Sequence, residues 1–222
     1  MDVRCIFEAA FEGGKMSEDR LFTNEELKTM GKRTLDLLLE KLDSGDAEEA
    51  KTLARQMYNE FLGMHDLYRD WITHLFTFIG EHYGDDTLRE AMAETVAGYT
   101  QRLGKRYAGK EKRRQIQMLL AGLRGHLQPF DVEEDAEKLT ITPKLCGSGG
   151  RLVIDGGYDP PCNFLKIKRP QPMTFNREDF PAYCAHCYFQ NISPVEPGGK
   201  PLFETQPSED LGKTPCKIYI YK

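Results

Sequence analysis

"FLGMHDLYRDWITHLFTFIGEHYG", residues 61–84, decides the first half of the fold. Phe61, Met64, His65, Tyr68, Ile72, Leu75, Phe76 and Ile79 recur at helical spacing, so the stretch reads as an amphipathic helix with one apolar face. Gly84 ends it, and Asp85 or Asp86 is placed to cap the next helix, "TLREAMAETVAGYTQRL". Upstream, "TNEELKTMGKRTLDLLLEKL" reads as a helix capped by Thr23 or Asn24, with Glu26 beside the first turn. After the turn "DSGD", Asp46 caps a helix carrying Leu53, Met57 and Phe61, which Gly63 bends or breaks. A further helix covers roughly 110–124. Short turns between these segments favour an antiparallel helical bundle.

Downstream the pattern changes. Leu139, Ile141 and Leu145, then Leu152, Val153 and Ile154, stand among β-branched residues punctuated by glycine, and the chain closes on the short strand "CKIYIYK". From 155 to 215 it is rich in Pro and Gly. The expected class is α+β: an N-terminal helical bundle packed on a small C-terminal antiparallel sheet with long loops and a cysteine metal site. The expected divisions are a flexible extension over 1–22, a helical part over 23–130 and a sheet part over 131–222, the last two forming one compact unit.

With 222 residues the chain is long enough to bury a core without staples. Its net charge of −5 and pI near 5.6 argue against a dedicated nucleic-acid binder. No apolar run approaches a membrane span, and the first fifteen residues lack a secretory h-region. The expected location is the cytoplasm, where thiols stay reduced, so six cysteines read as ligands or catalysts.

Four of those cysteines draw together in the reading. In "PAYCAHCYF", Cys184 and Cys187 form a C-x2-C knuckle that lets two thiolates grip one tetrahedral ion, expected to be zinc. Cys146, in "KLCGSGGRL", and Cys216, at the last strand, complete a four-thiolate set, with Cys162 or His186 as substitutes for the last ligand. A closed site that pins the loops is the simplest outcome. With three thiolates and a water, His186 would instead serve as the catalytic base. The glycines of "CGSGGRL" suit either a tight strand-to-strand turn or an anion cradle beside Arg151. His65, Tyr68 and Arg69, with Arg151, are the candidate substrate-binding residues, in a pocket walled by Phe61, Met64, Tyr68 and Trp71. His126 follows a helix C-terminus and is expected to cap it. The basic run from Arg102 to Arg114 reads as a solvated face.

The segments "HDLYRDW", "KLCGSGGRL", "YCAHC" and "CKIYIYK" resemble the 4-vinyl-reductase-type small-molecule-binding domains, and are similar to bacterial relatives of L-2-amino-thiazoline-4-carboxylic acid hydrolase. The 4-vinyl-reductase-type resemblance implies an α+β fold, often dimeric, with a cysteine-rich zinc site near a hydrophobic ligand cavity. It implies Cys146, Cys184, Cys187 and Cys216 as metal ligands. The gap from Cys187 to Cys216 is longer than that family's usual spacing, and His186 is not part of its pattern. The expected function is zinc-containing small-molecule binding or sensing, with a pocket between the helical and sheet parts. The rival reading is a zinc-dependent hydrolase or lyase acting on a small anionic substrate. Expected partners are a small-molecule ligand and a second copy of the chain, with neither nucleic acid nor membrane.

Overall fold

The computed structural model describes residues 20–127, 129–194 and 199–222. The proposed extension lies mostly outside the described residues, as does Cys5. The chain divides into two compact units, one ending at Gly63 and one spanning Met64–Lys222.

In the first unit, α1 (Asn24–Met30) opens with the reciprocal cap that its sequence announces. Glu26 N–H donates to Thr23 Oγ1 at 3.2 Å, and Thr23 N–H donates to Glu26 Oε2 at 2.6 Å. The helix stops at Gly31, and α2 (Thr34–Asp43) begins anew, so the expected single helix is two. Thr34 donates from Oγ1 to Glu60 at 2.6 Å.

The next element, α3 (Ala47–Tyr107), runs through Gly63 without the expected break. A lone helical glycine costs only about 1 kcal/mol relative to alanine, which flanking helix formers offset. The interruption comes at Gly84, as expected, where φ is 82° and ψ is 174°. Phe76 and Ile79 before the break, and Leu88, Met92 and Val96 after it, serve one core with Ile167, Met173, Phe180 and Phe189.

The inward face of the 64–83 segment differs from the expected stripe. Arg69 is 5% exposed and Thr73 fully buried, whereas Met64, Tyr68, Trp71 and Leu75 are each about half exposed. Polar residues can occupy the inner face because they are satisfied there: Thr73 donates to the Arg69 carbonyl at 2.7 Å, and Arg69 meets three carboxylates.

The helix α4 (Lys112–Gly125) places Leu119 and Leu123 on a four-stranded antiparallel sheet. Its strands are β1 (Phe130–Glu134), β2 (Lys138–Pro143), β5 (Glu204–Gln206) and β6 (Lys217–Tyr221), in the order β1-β2-β6-β5. Leu139 pairs with Ile220 and Ile141 with Ile218, so alternate residues of the two central strands face α4. A two-stranded ribbon, β3 (Lys166–Ile167) with β4 (Phe180–Pro181), lies apart from this sheet. The expected strand-to-strand turn at "CGSGG" is instead the entry to a short helix, α5 (Gly149–Ile154). A further helix, α6 (His186–Ile192), starts within the C-x-H-C cluster. The α+β class therefore holds. Among the described residues no helix is long and apolar enough to cross a membrane.

Candidate functional site

Three chain segments converge on one cavity. Cys146 follows β2, Cys184 lies on the 3-10 turn Ala182–Ala185, Cys187 is in the first turn of α6, and Cys216 immediately precedes β6. All four line a cavity of about 50 Å³, together with His186, Gly149, Gly150, Lys144 and Lys213. That volume suits an ion with a water or two and is far below the roughly 300–1,000 Å³ of a small-molecule pocket. Cys162 is exposed and is not among the lining residues. Among the described residues no group of three or more His, Cys, Asp or Glu side chains has a placement that could hold a metal ion.

Local structure explains the convergence. The Cys184–Cys187 spacing crosses one helical turn, which brings both thiols to one side. Gly149 passes so close to them that a Cβ there would lie 2.7 Å from Cys184 Sγ, a contact that only glycine avoids. Cys146 Sγ accepts from the backbone N–H groups of Gly150, Ser148 and Gly149, and Ser208 hydrogen-bonds Cys216. Arg177 fixes the Ser208 segment by donating to the Pro207 carbonyl at 3.1 Å and to the Ser208 carbonyl. Asn191 of α6 clamps Thr205 of β5 through two bonds of 2.8 and 2.7 Å, which ties the knuckle to the sheet edge.

Burial dominates the electrostatics. It pushes the Cys184 thiol well above its ordinary range, with the other three thiols adding to the rise. It pushes Cys187 up to about 12. Burial also raises Cys146 and Cys216, although the N–H donors at Cys146 and Ser208 at Cys216 oppose it. As free thiols the four hold their protons; a bound cation is the partner that would make them thiolates. Burial pushes the His186 imidazole down. His186 donates from Nδ1 to the Tyr183 carbonyl, which leaves Nε2 as the acceptor, 3.7 Å from Cys187 Sγ.

The candidate substrate-binding residues separate into two groups. His65, Arg69 and Arg151 come together, but around carboxylates. His65 Nδ1 donates to Asp66 at 3.0 Å, and Arg151 donates to the same carboxylate. Arg69 bonds Asp70 at 2.8 Å and Asp155 at 3.1 Å. Arg151 is not among the residues lining the cysteine cavity. Tyr68 stands outside this group, stacked on Trp71 at 6.3 Å between ring centroids.

Ser148 and His126 join the polar cluster without having been expected there. Ser148 Oγ lies 3.4 Å from both His65 Nε2 and His126 Nδ1, and it is hydrogen-bonded to the Tyr183 side chain. Burial first, then the neighbouring His186 and His65, lowers the His126 pKa. The polar cluster thus reaches the Tyr183 side chain of the cysteine turn through Ser148. A glycine-flanked serine was the available sequence signal, but its partners lie 83 and 22 residues away in the chain.

The fold and site define an α+β protein with a small cavity walled by four thiols and a histidine. No family model, curated protein or solved structure matches the chain.

Proposed function

We propose that this is a zinc-containing protein that binds or senses a small molecule, its ion held by Cys146, Cys184, Cys187 and Cys216. The observation that carries the reading is the arrival of four cysteines, from three separate segments, at one cavity of about 50 Å³. The donor set suits zinc, which takes four thiolates in structural sites. The N–H groups aimed at Cys146 Sγ would support a thiolate there. The ion would tie together loops that have little secondary structure of their own. A cavity this small admits no organic ligand beside the ion, so a ligand would meet the site at its rim. Lys144 and Lys213 stand there, held only in exposed pairs with Asp131 and Asp210, and favour an anion.

His186 supports a second reading, a hydrolase or lyase for a small anionic substrate. Its Nε2 is unprotonated when Nδ1 donates to Tyr183, and the residue lines the cavity. In that reading Cys146, Cys184 and Cys187 hold the ion, which supplies Lewis acidity. His186 accepts the proton at Nε2.

Elemental analysis of protein purified without chelator tests the centre. The expected result is about one zinc per chain, lost in Cys146→Ser and Cys184→Ser and reduced in Gly149→Ala, whose new methyl displaces the Cys184 thiol. Metal-free parent protein with titratable thiols would overturn the zinc reading. Cobalt substitution then separates the two functions. A four-sulfur spectrum indifferent to small anions fits binding at the rim, and an anion-sensitive spectrum with fewer sulfurs fits the enzyme.

A further inference from the structure

We infer that Ser148, His65 and Asp66 form a catalytic site apart from the cysteine cavity, a serine nucleophile with its base and orienting carboxylate, which hydrolyses short uncharged esters. Ser148 Oγ lies 3.4 Å from His65 Nε2, and His65 Nδ1 donates to Asp66 Oδ1 at 3.0 Å. That is the order of a nucleophile, a base and an orienting carboxylate, an arrangement defined by geometry and role and not by position in the chain. A nucleophile and base this far apart are ordinary before substrate arrives, and the bond tightens in the complex. Arg151 donates to the other oxygen of Asp66, and Arg69 stands 3.5 Å from the first. The carboxylate that orients the imidazole is therefore itself fixed, and its charge stabilises the imidazolium. All these residues belong to the unit spanning Met64–Lys222, so their arrangement does not depend on the unit that ends at Gly63.

Ser148 is the N-cap of α5, a place where a serine side chain ordinarily accepts from a backbone N–H of the first turn. Here it makes no such bond. Its hydroxyl instead meets His65, His126 and Tyr183. Glycines at 147 and 149 flank it, so neither neighbour places a side chain beside Oγ. The backbone donors that commonly hold an oxyanion are already engaged, because the N–H groups of Gly149 and Gly150 face Cys146 Sγ. Side chains take that role: the Tyr183 hydroxyl and His126 Nδ1 both reach Ser148 Oγ, where the carbonyl oxygen of a bound ester would gain its charge.

The reaction balances without a cofactor. Ser148 Oγ bonds to the ester carbonyl carbon while its proton passes to His65 Nε2. The C–O bond to the leaving alcohol then breaks, the alcohol takes that proton, and the acyl group stays on Ser148. Water adds to the acyl carbon by the same route, giving the carboxylic acid and the free serine. Size and charge set the substrate class. Ser148 is 5% exposed, which restricts the acyl group to a short one. Arg151 and Arg69 are engaged by Asp66, Asp70 and Asp155, so neither is available to an anionic substrate. Ser148 is not among the residues lining the cysteine cavity, and the inference is independent of the metal reading.

The test is labelling of the full chain with a small alkyl fluorophosphonate, which bonds to an activated serine with loss of fluoride, followed by peptide mapping. Hydrolysis of p-nitrophenyl acetate is recorded on the same protein. The expected result is a label on Ser148 together with ester turnover. Both should fall at least about 100-fold in Ser148→Ala and in His65→Gln, with unchanged far-ultraviolet circular dichroism. Asp66 acts as a positioning residue, so Asp66→Asn should lower kcat at least about tenfold and leave KM nearly unchanged. Should a variant fail to fold, mapping of the parent protein decides alone. A parent protein unlabelled at Ser148 would overturn the inference. So would turnover that survives Ser148→Ala, or labelling undiminished in His65→Gln. Turnover without a serine label would overturn it too, and would favour the metal-dependent hydrolase instead.

Discussion

Asp66 illustrates how single side chains set the environment of the site. Burial alone would raise its pKa, but hydrogen bonds from Arg151 and His65, with the charges of Arg69 and Arg151, hold it below the ordinary 3.8. A lowered folded pKa stabilises the fold above the unfolded value, and that contribution is lost as pH falls through the folded value. Asp66→Asn should therefore cost about 1–3 kcal/mol at neutral pH, as expected for loss of charge-assisted hydrogen bonds. The deficit relative to the parent should shrink below pH 3.8. Urea denaturation at several pH values measures it. A deficit that does not change with pH would mean that the carboxylate's charge is not what matters. The same residues show what a local reading can find. "HDLYRDW" marked His65 and Arg69 as a polar group on an apolar helix, but their partners Ser148 and Asp155 are 83 and 86 residues away. No local pattern links such partners.

Among the elements, α3 turns on one residue. The Gly84 backbone, at φ 82° and ψ 174°, occupies a region that is open essentially to glycine alone, although a Cβ would meet no neighbouring atom. Gly84→Ala is therefore expected to destabilise the protein through the backbone and not through a clash, by about 1–3 kcal/mol. Equilibrium unfolding measures this. An unchanged stability would mean that the helix continues through the position at no cost. Gly63, by contrast, stays helical and carries no such demand. The sequence marks both glycines as breakers, but only at Gly84 do the core residues on either side require the chain to change course. Two other elements escaped the sequence reading for a related reason. The helices α5 and α6 are six and seven residues long, too short to establish a period of 3.6.

On the scale of the whole molecule, the cysteine cavity draws on the sheet, the 3-10 turn and α6 at once. A metal bound there would add a link between segments already joined by the β2–β6 ladder and by side-chain clamps such as Arg177 to Pro207 and Asn191 to Thr205. Strong chelators should lower the melting temperature of the zinc-loaded protein, and zinc added back should restore it, because a ligand that binds only the folded state stabilises by mass action. A melting curve indifferent to both would sever the metal from the fold. Differential scanning calorimetry records either outcome.

The sequence by itself determined the α+β class, the cap at Thr23, the break at Gly84, the hydrophobic alternation of the two central strands and the C-x2-C spacing of Cys184 with Cys187. These are carried by neighbours within a turn or a strand, where propensity and period act directly. Only the tertiary structure decided that Cys146 and Cys216 join the knuckle while Cys162 does not. It alone decided that Arg151 faces Asp66 and not the cavity, and that Arg69 and Thr73 turn inward while Trp71 and Leu75 turn out. Those outcomes depend on which distant groups satisfy a buried charge or hydroxyl. That balance of desolvation against partnership is set only once the segments have met.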